Sequence, residues 1–168
     1  MLSLCPQLLA LDFEGQVKPS MELLRQRLGM RPTDVRRVMR KAPEVLAPRA
    51  DGSTAADAVD VLRALGLQTR HLRLEALRWP QLLAVPPSSF FQLAAFLCSE
   101  EVGVKAADVG SLIRQAPWLV LENIDGQMLP AVKFLTRVGV TDLERVVRAY
   151  PKILCASIRG ELAPRVSY

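Results

Sequence analysis

The chain has 168 residues, half of them hydrophobic, and its 22 basic and 17 acidic side chains give a net charge of +5. That length suits one ordinary domain with a sizeable core, and an aromatic content of 5% is low for β-sheet. Three scattered cysteines (Cys5, Cys98 and Cys155) and a single histidine, His71, lack metal-ligand spacing, which excludes a zinc site and implies reduced thiols packed as small hydrophobes.

Prolines set the frame of the chain. Pro6, Pro43, Pro80, Pro117 and Pro151 recur at intervals of 37, 37, 37 and 34 residues. Each is followed two and three positions later by a pair of large aliphatics. Self-similarity at this period predicts one array of stacked two-helix units over 1–168, stabilised by contacts between neighbours. The chain opens on the tail of a partial repeat, 1–9, with Leu8-Leu9 after Pro6.

The first full repeat, 19–46, begins with Pro19, which suits a first helical turn. Leu23, Leu24 and Leu28 predict a helix A, and Gly29 stands where a left-handed C-cap is expected. Val35, Val38, Met39 and Ala42 then share one stripe of a helix B over 33–42, opened by Thr33-Asp34. Pro43 ends it, because proline lacks an N–H and disfavours helical geometry in the residue before it. The tail with Val45-Leu46 is too short for a further helix and is expected to pack as a single turn.

The second repeat, 53–83, runs through Val61, Leu62, Leu65 and Gly66 to a helix B over 69–79 and then Leu82-Leu83. Glu75 falls on its apolar stripe while Leu74 and Leu77 replace arginines of other copies, which predicts a rotated or irregular helix. The third, 87–120, has Pro87, Phe96, Leu97, Val102 and Gly103, then a helix B over 106–116 and Leu119-Val120. Gly110 inside that helix costs about 1 kcal/mol relative to alanine. In the fourth, 127–154, Pro130, Phe134, Leu135, Val138 and Gly139 precede a helix B over 141–150 and Ile153-Leu154. Thr141 and Glu144 have the spacing of a capping box. Residues 159–168 start another partial repeat.

The fold class is therefore all-α. The uncharged run from Trp79 to Ser99 is interrupted by Pro80, Pro86 and Pro87 and straddles a repeat boundary, so no membrane partner is expected. Neither end shows the polar outer face of a terminal repeat. Flanking repeats of a longer protein are expected, with any targeting segment among them.

The positive charge sits on the B helices. In chain order they carry +3, +2, 0 and 0, which accounts for the whole net charge. Arg40, Arg114 and Arg148 recur three residues before the proline, and Arg37 and Arg145 six before. In stacked units such positions line up into a ladder, and a row of guanidinium forks is the footprint of a nucleic-acid backbone binder. Any solvated helix also carries charge opposite its apolar stripe. Trp79, Trp118 and Tyr150 fall at or beside the repeat prolines and read as packing residues.

The unit resembles that of the mitochondrial transcription termination factor (mTERF) family. The resemblance rests on Leu28-Gly29-Met30, on Val138-Gly139-Val140-Thr141-Asp142-Leu143, and on the runs Arg-Lys-Ala-Pro-Glu-Val-Leu (40–46) and Ala-Tyr-Pro-Lys-Ile-Leu (149–154). It implies an α-solenoid, right- or left-handed, with two antiparallel helices and a short third turn per unit around a basic groove. It further implies residence in a mitochondrion or chloroplast and binding of double-stranded DNA in transcription regulation or termination. Some relatives act on RNA in splicing or ribosome assembly, which leaves RNA as the alternative partner.

The candidate contacts to nucleic acid are Arg36, Arg37, Arg40, Lys41, Arg114, Arg145, Arg148 and Lys152, with Arg70, Arg73 and Arg78 in the less regular second repeat. A scaffold that docks a partner helix is the competing reading from another class. No nucleophile–base pair, paired carboxylates, phosphate-binding glycine loop or metal cluster is legible, so neither enzyme activity, cofactor nor small-molecule ligand is expected.

Overall fold

In the computed structural model residues 17–46 and 52–156 are described, and every regular element among them is helical. The partial repeats at 1–9 and 159–168, with Cys5 and Leu8-Leu9, lie outside the described residues. Eight α-helices follow in order: α1 Lys18–Leu28, α2 Pro32–Lys41, α3 Ala55–Ala64, α4 Thr69–Arg78, α5 Pro87–Leu97, α6 Ala106–Gln115, α7 Leu129–Arg137 and α8 Leu143–Ala149. Odd-numbered helices are the A helices of the sequence pattern and even-numbered ones the B helices. Two compact units divide the chain at residues 90 and 91, within α5.

The proline phrase folds the same way four times. Ala42, Trp79, Ala116 and Tyr150, each preceding the proline, take φ from −128° to −142° and ψ from 68° to 74°. Each still donates its N–H to the carbonyl four residues back, at 2.7–2.9 Å. Each carbonyl then accepts from the N–H three residues on, at 3.0–3.2 Å. The proline has no N–H to strand at this bend, so the turn closes without an orphaned donor. The 3-10 turns so formed, Pro43–Leu46, Pro80–Ala84, Pro117–Leu121 and Pro151–Cys155, bury their prolines and the aliphatic pair that follows, apart from Ile153, which is part-buried.

The A helices end as the glycines require. Gly29, Gly66, Gly103 and Gly139 all have φ between 59° and 94°. At Gly66 and Gly139 the next residue closes back: Leu67 N–H donates to Leu62 and Val140 N–H to Leu135, both at 3.1 Å. That six-to-one bond satisfies a carbonyl the helix end leaves open. Helix starts needed more correction. Pro32, not Thr33, opens α2, and Asp34 accepts the Arg31 N–H at 3.1 Å. Asp142, not Thr141, caps α8 by accepting the Arg145 N–H at 3.0 Å. Ahead of α7, a π-helical turn Ile124–Met128 starts from Asn123, whose side chain accepts the Gly126 N–H at 2.9 Å.

Within the first unit like packs on like: α1 on α3, α2 on α4, and the Pro43–Leu46 turn on Pro80–Ala84. Leu24, Leu28, Val35, Val38, Ala58, Val59, Leu62, Leu82 and Leu83 fill its core. Arg27 of α1 pairs with Asp60 of α3, and Arg63 donates to the Arg27 carbonyl at 2.6 Å. Helix α4 is regular and in phase, contrary to the expected rotation. Leu72 and Ala76 anchor its stripe, which buries Glu75 to 8% exposure and turns Leu74 outward. In the second unit α7 packs on α8 and on the Pro151–Cys155 turn, over Leu112, Leu119, Met128, Val132, Val147 and Leu154. The Gln127 amide donates to the Cys155 carbonyl at 2.6 Å. Among the described residues no helix is long and apolar enough to cross a membrane.

Gly66 tests the turn chemistry. Nothing lies within 4 Å of a Cβ placed there, so Gly66→Ala meets no clash, only the left-handed backbone. That conformation costs an L-residue about 1–2 kcal/mol. Urea unfolding should show a loss of that size; unchanged stability would mean the turn adapts freely.

Candidate nucleic-acid interface

The repeat bend fixes where each cation lies, because helix B must present one stripe to the core. On α2 this leaves Arg36, Arg37, Arg40 and Lys41 exposed, with no ion-pair partner for any of them among the described residues. Arg70 and Arg78 of α4 are likewise exposed. Arg73 is not: its guanidinium reaches back to Asp34 of α2 at 2.7 Å. The first unit thus gathers seven of the candidate cations on two adjacent helices. By sequence this unit holds 13 basic and nine acidic residues.

The second unit gathers Arg114, Arg145, Arg148 and Lys152. Arg114 and Arg145 are exposed. Arg148 joins Asp108 of α6 at 3.2 Å and Glu144 of its own helix at 3.4 Å. Lys152 lies 5.8 Å from the centre of the Trp118 ring, within cation–π range. Nine basic residues here face eight acidic ones. The concavity in this unit, about 700 Å³, is rimmed by Glu100, Glu101, Asp142 and Glu144 against Lys133 alone, a field that repels phosphate.

Arg73 and Arg148 therefore join successive B helices within their units, a role the sequence reading did not assign. The signal was present: an aspartate stands nine residues before the proline in three repeats, as Asp34, Asp108 and Asp142. The packing expected of the aromatics also needs correction. Trp79 is 40% exposed and Tyr150 73% exposed, whereas Ala42 and Ala116 at the same offset are fully buried. The site before the proline closes around a methyl group, so a larger ring is turned out. Trp118 is partly buried.

A family profile described as mTERF matches residues 1–101 and again 95–168, which together span the chain. The chain belongs to the mTERF family. No curated protein matches it. The mTERF family comprises helical-repeat, nucleic-acid-binding factors of gene expression that are generally organellar, and it is not known for enzymes. Nucleic acid is accordingly the class of partner that membership in the mTERF family suggests. Among the described residues no cluster of His, Cys, Asp or Glu could hold a metal ion.

Two titratable groups report on these contacts. The Arg31 N–H first, and then the Arg73 guanidinium, hold the Asp34 carboxyl below its ordinary range, against an opposing effect of burial. A carboxylate depressed by folding stabilises the fold above its unfolded pKa, and that contribution disappears as pH falls through the folded value. Asp34→Asn should therefore destabilise the protein at neutral pH, with the gap from wild type closing in acid. A gap that stays constant down the pH series would show that Asp34 is not stabilised as a carboxylate.

The Cys155 thiol is pushed up to about 11 by burial and by Glu122, while Cys98 is exposed. Cys98 is thus no core hydrophobe. Because the thiolate is the nucleophile, iodoacetamide at about pH 8 should alkylate Cys98 well ahead of Cys155. Mass spectrometry of the labelled peptides reads the order, and equal rates would contradict this burial.

Proposed function

We infer that this protein binds double-stranded DNA through its B helices and acts in organellar transcription regulation or termination. The observation that carries this reading is the set of exposed cations on α2 and α4 that have no ion-pair partner among the described residues. Arg37 and Lys41 point away from the apolar stripe, and Arg70 and Arg78 share the same unit. A charge left in water and unsatisfied by neighbouring acids is available to displace counterions from a phosphate backbone. Arg145 and Arg114 extend the set in the second unit, whereas Arg73 and Arg148 first have to leave their carboxylates. Nothing in this set reads a base edge, so affinity rests on backbone charge and on duplex shape.

Binding measured against salt tests this. About six phosphate contacts would cost on the order of 10³-fold in affinity between about 50 and 200 mM salt. Replacing Arg37 and Lys41 by alanine should lower the salt slope by about two, nearly uniformly across DNA sequences. Duplex DNA is expected to bind more tightly than structured RNA of the same length. A preference for RNA would move the protein to RNA processing, and weak, salt-independent binding to both would remove nucleic acid altogether.

A further inference from the structure

Successive B helices meet flank to flank within each unit. Asp34 of α2, nine residues before its proline, pairs with Arg73 of α4, seven before its own. Asp108 of α6 pairs in the same way with Arg148 of α8, three before Pro151. The apolar side of this joint is as regular: Val38 and Leu112 are buried on the leading helices, Ala76 and Val147 on the trailing ones. Stacking thus occupies the flanks of a B helix. The residue six before the proline stands midway between them and opposite the core stripe, on the crest of the helix.

That crest holds Arg37 on α2, Leu74 on α4, Ser111 on α6 and Arg145 on α8, all exposed. Helix α4 belongs to the second of four full repeats. Because repeats stack through their flanks, a further repeat at either end of the chain leaves its crest uncovered. Leu74 is 57% exposed there, and unlike the arginines of other crests it cannot pair with phosphate. Its neighbours can. Arg70 and Arg78, four residues before and after it, lie about 40° to either side on the same outward face. Both are exposed and have no ion-pair partner among the described residues. Eight residues of helix separate them by about 12 Å, which is about the width of the major groove of B-DNA. A helix laid across that groove, with a cation on each bordering strand, carries its midpoint over the base edges. The apolar group that base edges present there is the C5-methyl of thymine.

We propose that Leu74 reads thymine, covering its C5-methyl in the major groove while Arg70 and Arg78 hold the phosphates on either side. Contact removes apolar surface of both groups from water, which is its driving force. The inference rests on duplex binding by the B helices and adds a source of sequence preference that the cations lack. It also favours DNA over RNA, since uracil has no such methyl and the major groove of an RNA duplex is too narrow for side chains.

Titrating the whole chain with two duplexes tests this: a mixed-sequence DNA, and the same DNA with uracil in place of every thymine. The exchange removes the methyl groups and leaves phosphates and base pairing in place. Wild type should bind the thymine duplex about fourfold more tightly for each methyl covered. L74A should bind both duplexes equally, with the salt slope and circular dichroism spectrum of wild type. L74R restores a crest arginine, and should steepen the salt slope by about one while losing the preference for thymine. Equal binding of the two duplexes by wild type overturns the proposal. So does a preference that survives in L74A, which would come from duplex shape instead. A wild type that binds neither duplex in a salt-dependent way defeats the DNA reading as well. Salt-dependent binding that R37A with K41A weakens keeps that reading even where the thymine preference is absent.

Discussion

Everything in this fold hangs on a bend made at one peptide before each repeat proline. The residue there keeps its N–H in the helix and spends its carbonyl on the turn that follows, at nearly identical dihedral angles in all four copies. Proline makes this bend obligatory rather than optional, because it both blocks helical geometry behind it and brings no donor of its own. The bend swings two aliphatic side chains under the helix pair and buries both in three copies and Leu154 in the fourth, where Ile153 is part-buried. It thereby fixes which stripe of helix B faces inward. With that stripe settled, the outward positions follow from helical phase alone.

Charge placement is a consequence of the same phase. Aspartates nine residues before the proline, on α2, α6 and α8, lie on the flank opposite arginines three or seven before it, and within each unit one such pair meets across the joint. Such pairs are partly exposed and each contributes modestly to stability. Their larger effect is on register: a slip of one residue would separate the charges and lift the apolar pair out of contact. Arginine in this chain thus has two uses, stacking and exposure to solvent, and in the second unit Asp108 and Glu144 balance the stacking Arg148. The exposed cations that remain are concentrated in the first unit.

The aromatic residues beside the prolines illustrate how one position can reverse its meaning. Alanine before the proline is swallowed by the bend, whereas tryptophan or tyrosine there exceeds the space and lies on the surface. Glu75 shows the converse. Its carboxylate sits on a stripe made for aliphatics, yet the helix keeps its phase, because two flanking apolar residues outweigh one polar intruder and the residue stays slightly exposed. Capping followed local geometry more than motif: Asp142 took the role that spacing gave to Thr141, since the link after Gly139 has three residues where the other repeats have two and starts α8 one residue later.

Periodicity alone established the helical class, the helix–glycine–helix–proline order, the buried turns and the candidate cations, because these depend on backbone chemistry that glycine, proline and a 3.6-residue repeat dictate locally. Partners for those cations were not legible in that way. Whether an arginine faces phosphate or a carboxylate 39 or 40 residues away, as Arg73 does with Asp34 and Arg148 with Asp108, depends on which flank of one helix meets the next. Only the packed structure decides that, since it is set by contacts between helices and not by order along the chain.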